Sequence, residues 1–292
     1  MQKPVKKRPE HIRFSTRAPV KHNSVSMSLQ EGRFSRRLFA EGWKQLWIVA
    51  HRGASGHAPE NTMAAFRRAA EMGAGFIETD LHLTRDAQVV AIHDPTVDRT
   101  TNGQGSVQAL KLEQVRALDA GSWFRGESPE SFSGQRIPTL QEILLFARER
   151  DLIFYLEIKS DAGWGIEHAV VATLRDFGEA ARVVILSFDS AALESVHHID
   201  ETMMTGYLCE YPSNDLVERA VRAGARQLAP RGDLVTSDLI AKAHRAGLQV
   251  VAWTVNEPEQ MRRLVGIGVD GIMTDYPDRL VSVIEEAKVT GE

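Results

Sequence analysis

The sequence predicts an α/β fold of one kind, a (β/α)8 TIM barrel, with an inserted subdomain after the second strand and a disordered N-terminal tail. Three observations point there. Eight short apolar or β-branched runs alternate with helix-patterned stretches over about 240 residues, close to the length and repeat of such a barrel. Short polar clusters sit at the C-terminal ends of several runs, where barrel enzymes carry their chemistry. His51-Arg52-Gly53 follows the first run, not a G-x-G-x-x-G loop, so the rival doubly wound dinucleotide-binding sheet lacks its signature.

Residues 1–44 carry 11 Lys+Arg against 3 Asp+Glu and show no sustained periodicity. That composition predicts disorder, and such a basic tail can also make peripheral contact with anionic lipid. Ser35-Arg36-Arg37-Leu38-Phe39 matches a twin-arginine pattern, but the apolar segment an export signal needs does not follow, so the match reads as accidental. Met27 is an alternative start, which leaves open whether residues 1–26 belong to the native protein.

The catalytic domain is expected over 45–292. Its strands are Leu46–Ala50, Gly75–Leu83, Leu152–Ile158, Arg182–Phe188, Met204–Cys209, Arg226–Ala229, Leu248–Val255 and Asp270–Thr274. Helices are expected over Asn61–Met72, Leu140–Arg150, Ile166–Phe177, Ala191–Ile199, Leu216–Ala223, Ser237–Ala246, Pro258–Ile267 and Arg279–Ala287. Asn61 offers an N-cap, as does Thr236-Ser237-Asp238. Gly73, Gly178, Gly224, Gly247 and Gly268 stand where left-handed C-cap residues are wanted. After the second strand, Thr84-Arg85-Asp86 turns the chain into Ala87–His93, a returning hairpin. The insertion then runs over about 94–138, with a short helical stretch at Lys111–Leu118. A segment of that length is expected to be ordered near the active face.

The composition is that of a globular chain, 43% hydrophobic and 25% charged. Beyond the tail, 24 Lys+Arg face 36 Asp+Glu; an acidic body lacks the basic face nucleic-acid binding needs. No apolar run approaches the roughly 18 residues of a transmembrane helix. One cysteine, Cys209, cannot form an internal disulfide and fits a reducing, cytoplasmic compartment. The oligomeric state is not legible.

His51 ends the first strand. Glu78 and Asp80 lie two apart on the second, so strand alternation points both to one face. Glu157 and Lys159 repeat that arrangement on the third. Adjacent carboxylates repel and raise each other's pKa; a bound cation removes the conflict, and an all-oxygen donor set suits one Mg²⁺ or Ca²⁺. The competing reading is a salt-bridge network in which Arg52 partners Glu60 and Lys159 partners Glu157. His51 and His93 can move protons near neutral pH. Arg52 and Lys159 can neutralise a phosphate. His82 shares the parity of Glu78 and Asp80 but has no assigned role, and His197 and His198 read as helix surface. Trp253, on the seventh strand, is either a substrate wall or core. Asp275-Tyr276-Pro277 reads as a turn.

His51-Arg52-Gly53, Pro59-Glu60-Asn61-Thr62, Glu78-Thr79-Asp80, His93-Asp94, Leu156-Glu157-Ile158-Lys159, Trp253-Thr254-Val255-Asn256 and Thr274-Asp275 together resemble the glycerophosphodiester phosphodiesterases, over about residues 47–287. The resemblance implies His51 and His93 as the acid/base pair and Glu78, Asp80 and Glu157 as ligands of the divalent cation. It implies Arg52 and Lys159 as phosphate-binding groups and Trp253 as a substrate-lining aromatic. Glu60 and Asn61 would buttress the first loop. Ala87 departs from a hairpin position where the family often has Gly. The implied reaction splits a glycerophosphodiester into glycerol 3-phosphate and an alcohol, attacked by the substrate's own 2-hydroxyl or by water. A phospholipase D-like activity on lysophospholipids and a non-catalytic phosphoester-binding protein are the alternatives.

Overall fold

The computed structural model describes residues 46–126, 131–159, 163 and 165–290; the basic tail lies outside them. The strands are β1 (Trp47–Ala50), β2 (Phe76–Leu83), β3 (Val89–Ala91), β4 (Ile153–Ile158), β5 (Val183–Ser187), β6 (Met204–Cys209), β7 (Gln227–Pro230), β8 (Gln249–Ala252) and β9 (Gly271–Thr274). The helices are α1 (Met63–Glu71), α2 (Leu112–Arg116), α3 (Leu140–Arg150), α4 (Ile166–Phe177), α5 (Ser190–Ile199), α6 (Leu216–Arg222), α7 (Ser237–Arg245), α8 (Pro258–Gly266) and α9 (Pro277–Thr290). Eight strands pair in parallel in the order β1-β9-β8-β7-β6-β5-β4-β2, and β2 pairs back onto β1 to close the ring. The expected barrel is the observed one.

Strand alternation sorts the core into two layers. One set of side chains, including Trp47, Val49, Phe76, Tyr155, Leu186 and Leu208, fills the barrel interior. The other, including Ile77, Leu81, Phe154, Leu156 and Ile158, packs outward against helix residues such as Phe66, Leu144 and Val170. Trp47, Phe76 and Tyr155 stack along one side of the interior, with centroids 5.5 and 6.0 Å apart. Glu78, Asp80 and Glu157 share the parity of Phe76 and Tyr155 but lie nearer the C-terminal mouth. Asp80 is in register with Glu157 across β2 and β4. The apolar floor therefore carries a cluster of carboxylates above it on one side.

The helix boundaries follow local chemistry. Gly73, Gly178, Gly224, Gly247 and Gly268 all have positive φ, as expected of residues ending a helix in the left-handed region. Thr139 and Glu142 form a reciprocal capping box on α3. One expectation is corrected: Thr62, not Asn61, caps α1, its hydroxyl accepting from Ala65 N at 3.3 Å. Asn61 is left-handed instead, with φ +54°, and its side chain turns inward to the site.

The hairpin also forms, with β3 antiparallel to β2. Its turn places exposed Ala87 at φ +56°, where a Cβ costs roughly 1–2 kcal/mol and Gly does not. Ala87→Gly is expected to raise unfolding stability by about 0.5–1 kcal/mol after the added chain entropy is subtracted, read as a higher urea midpoint at unchanged slope.

The described part of the insertion has its own small core. Val97, Val107, Val115, Ala120 and Ile137 pack with Val90 and Ile92. Asp119 ties its loops together, accepting from the amides of Gly121, Ser122 and Gly134 at 2.8–2.9 Å. Phe124 and Phe132 pack against Ala58 and Ala65, so the insertion rests on the β1–α1 segment. His197, expected on the helix surface, is half-buried with Nε2 3.2 Å from Thr205 Oγ1; His198 is exposed.

Candidate active site

The β1–α1 loop sets the geometry. Arg52 and Gly53 have φ +55° and +82°, a turn sharp enough to aim the Arg52 amide at β2. That amide donates to Glu78 Oε2 at 2.9 Å. A Cβ on Gly53 would stand 2.7 Å from the Ala65 backbone, so only glycine fits against α1. Left-handed Arg52 is a strained non-glycine residue, costing about 1–2 kcal/mol, and it is held by what its ends bind.

Asn61 is the second brace. Its Oδ1 accepts from Thr79 Oγ1 at 2.6 Å and Asp80 N at 3.2 Å, while its Nδ2 donates to Asp80 Oδ2 at 2.8 Å. One buried amide thus fixes the backbone and the carboxylate of the same acidic residue. Asparagine tolerates the left-handed backbone better than most residues, which suits it to this position.

Glu78, Asp80 and Glu157 converge: one oxygen from each lies within 4.8 Å of the others, and all three are buried. Burial, then Asp80 and Glu157, push the Glu78 carboxyl well above the usual carboxylate range. Burial would raise Asp80 as well, but Arg52 and Lys159 outweigh it and hold its carboxyl far below that range. Burial and Asp80 raise Glu157. Lys159 Nζ lies 2.9 Å from Asp80 Oδ1 and 2.7 Å from Glu157 Oε1. Glu78 Oε1 is buried with no hydrogen-bond partner. An unsatisfied buried oxygen beside two further carboxylates is what an oxygen-preferring divalent cation fits.

Each histidine is backed by a carboxylate. His51 Nδ1 lies 2.7 Å from Asp275 Oδ1, and His93 Nδ1 lies 2.6 Å from Asp94 Oδ1. This fixes the tautomer of each neutral ring, with Nδ1 protonated and Nε2 open to accept. His51 Nε2 stands 4.0 Å from Glu78 Oε2. Burial lowers the His93 pKa, favouring its neutral form. Asp275 is itself fixed by Asn256 Nδ2 at 2.6 Å and Ser55 Oγ at 2.8 Å. Burial would raise its carboxyl, but His51 and those donors hold it at about 2. It is therefore a brace for His51 and not merely part of a turn. The signal available in the sequence was a carboxylate just past the last barrel strand, the position already credited for His51.

A network of charge joins the insertion to the first loop. Arg52 Nη1 donates to Glu60 Oε1 at 2.9 Å; Arg99 donates to both Glu60 oxygens at 2.8 and 2.9 Å and to Asp94 Oδ2 at 2.7 Å. Arg99, not singled out from the sequence, holds the Asp94 carboxyl at about 2. His82 Nε2 lies 3.1 Å from the His93 carbonyl oxygen, a backbone contact consistent with no direct part in the chemistry.

His51, Arg52, Glu78, His93, Glu157 and Lys159 line one cavity of about 250 Å³. Trp253 also lines it, one residue beyond β8 and packed on the barrel-interior side chains. Its indole N–H donates to Ala229 O at 2.7 Å. Every expected site residue therefore reaches one place: Asp80, Glu60 and Asn61 hold the cavity wall from behind.

The sequence model of the glycerophosphoryl diester phosphodiesterase family matches residues 51–279. A glycerophosphodiester phosphodiesterase of Caldanaerobacter subterraneus subsp. tengcongensis is 38% identical over 241 residues, 82% of this chain and 98% of that protein. One of Bacillus subtilis is 35% identical, covering 80% and 85%. Among solved structures, a putative glycerophosphoryl diester phosphodiesterase of Silicibacter pomeroyi superposes with a TM-score of 0.79 at 30% identity, covering 87% of this chain and 98% of that one. An Oleispira antarctica phosphodiesterase in complex with the product sn-glycerol-3-phosphate gives 0.74 at 28%, covering 82% and 96%.

Proposed function

The chain belongs to the glycerophosphoryl diester phosphodiesterase family, and from that premise we propose how its own residues split a glycerophosphodiester into glycerol 3-phosphate and an alcohol. The observation that carries the proposal is the cavity itself, where two carboxylate-backed imidazoles face three convergent carboxylates. Glu78, Asp80 and Glu157 would hold one divalent cation, Mg²⁺ or Ca²⁺. Bound there, the cation would polarise the phosphoryl oxygens and offset charge building at phosphorus.

The other roles belong to the chain. Arg52 and Lys159 contribute positive charge to the phosphate wall. Arg52 is ion-paired to Glu60 and Asp80, and Lys159 to Asp80 and Glu157, so the salt-bridge reading and the phosphate reading are compatible with one arrangement. One imidazole, neutral, takes the proton of the attacking hydroxyl at its open Nε2; the other must enter the step as an imidazolium, protonated on both nitrogens, and gives its Nε2 proton to the departing alkoxide. The glycerol 2-hydroxyl is the better-placed nucleophile, because it comes already tethered to the phosphorus it attacks. A cyclic phosphate then opens with water to glycerol 3-phosphate.

Lysophospholipid cleavage is not favoured: the relatives are named for glycerophosphodiesters. No helix among the described residues is long and apolar enough to cross a membrane. Residues 45–292 form the catalytic unit in this proposal, and the single buried thiol fits a cytoplasmic setting.

The test is regiochemical. Incubation with glycerophosphocholine and divalent cation should yield glycerol 3-phosphate and free choline by ³¹P and ¹H NMR. Phosphocholine and glycerol as products would refute it. Asp275→Asn should lower kcat at least about 10-fold, within the roughly 10⁴-fold ceiling of the histidine's full acid–base contribution, with KM little changed. Steady-state kinetics at saturating substrate measure this.

A further inference from the structure

The two histidines are braced by carboxylates, but those carboxylates are held from different places. Asp275, behind His51, is fixed by Ser55 and Asn256. Asp94, behind His93, has His93 itself and Arg99 as its side-chain partners among the described residues. Arg99 belongs to the insertion, so the support behind His93 comes from there.

The Arg99 guanidinium presents two edges. Nε and Nη2 donate to Asp94 Oδ2 and Oδ1 at 2.7 and 3.0 Å. Nη1 and Nη2 donate to Glu60 Oε2 and Oε1 at 2.9 and 2.8 Å. Both carboxylates are gripped by two bonds, a geometry that a planar guanidinium offers and an ammonium does not. Each carboxylate also holds one group of the site. Asp94 Oδ1 lies 2.6 Å from His93 Nδ1, and Glu60 Oε1 accepts from Arg52 Nη1 at 2.9 Å. Arg99 Nη2 touches both of those oxygens. One nitrogen thus stands between the His93 ring and the Arg52 side chain, with a single carboxylate oxygen on either side.

The segment that carries Arg99 is pinned. Val97 is buried in the insertion core; its N–H donates to Gly105 O at 2.9 Å, and its carbonyl accepts from Thr101 Oγ1 at 2.6 Å. Asp98 Oδ2 accepts from Gly105 N at 2.9 Å. Arg99 therefore reaches out from a fixed backbone. Its side chain is 44% exposed, and ion pairs that exposed contribute little to stability. Position is the larger stake, since a displacement of about 1 Å at a reacting group can cost about 100-fold in rate. With the acid–base role of His93 as its basis, we infer that Arg99 is a positioning residue, which registers the His93 imidazole against the phosphate-binding Arg52 by gripping Asp94 and Glu60 together.

The role is tested by kinetics and melting of the full chain. Arg99→Ala should lower kcat for glycerophosphocholine about 10–100-fold, with KM within about 3-fold and the thermal midpoint within about 4 °C of wild type. Arg99→Lys keeps the charge and loses the fork; it should melt as the wild type does and still lose at least about 5-fold in kcat. In a His93→Ala background, Arg99→Ala should cost less than about 2-fold, because its effect passes through that ring. A wild-type kcat in Arg99→Ala, full activity in Arg99→Lys, or the same fold loss with and without His93 would overturn the positioning role while leaving the hydrolase standing. His93→Ala at the wild-type rate would instead remove the acid–base reading on which the role rests.

Discussion

His93→Ala should lower kcat by about 10²–10⁴-fold, and His51→Ala by a similar factor, while the thermal stability gained on adding divalent cation is retained. The expectation rests on geometry, since neither ring is placed as a cation ligand. Each has Nδ1 held by a carboxylate, Asp94 or Asp275, and each lines the cavity. The double variant should fall little below either single one, because two groups acting in one proton relay are not additive. Rates unchanged in both single variants would remove the acid–base assignment.

Glu78→Gln should abolish turnover at any practical cation concentration and yet stabilise the metal-free protein. Glutamine can still accept from the Arg52 amide, so the loop geometry is kept. What disappears is a buried carboxyl with an unpartnered oxygen, whose ionisation is disfavoured by burial, Asp80 and Glu157. The sign is fixed by linkage. The folded-state pKa of Glu78 is raised, so at pH between the ordinary carboxylate value and that raised value the unfolded chain has released the proton and the fold still holds it. Stability of the metal-free wild type therefore falls as pH rises through this window, and Glu78→Gln should lack that fall. Bound cation should reverse the ranking, because a ligand that binds only the folded state stabilises the wild type and finds no complete site in the variant. Melting curves of both proteins from pH 4 to 8, with EDTA and with cation, read all of this.

Much of this site was legible because strand parity is a two-fold rule. Glu78 and Asp80 must share a face, and a barrel puts one face inward, so naming the strand also named the direction of the carboxylates. Its place at the end of the first strand did the same for His51, and parity with Glu157 did so for Lys159. What parity could not reach was pairing between distant loops. Asp275 and Asn256 are 19 residues apart and meet at 2.6 Å only when β8 and β9 lie side by side. Arg99 sits in the insertion, whose path no periodicity encodes, and it bridges Glu60 and Asp94 from 39 and 5 residues away. Asn61 was visible as a polar residue ahead of a helix, and the cap reading was the local default. The left-handed backbone that turns it onto Asp80 depends on the neighbouring strand. Trp253 packs on the barrel interior and also lines the cavity, so the two places offered for it do not exclude each other.

The central claim is that the three carboxylates make the site and the two histidines use it on a glycerophosphodiester. The most direct measurement is ³¹P NMR of glycerophosphocholine with metal-stripped protein, titrated in turn with Mg²⁺ and Ca²⁺. Glycerol 3-phosphate should appear only as cation is added, saturate with cation concentration, and stay absent in Glu78→Gln under the same titration. Glycerol 3-phosphate formed at full rate by the stripped protein, or by Glu78→Gln, would contradict it.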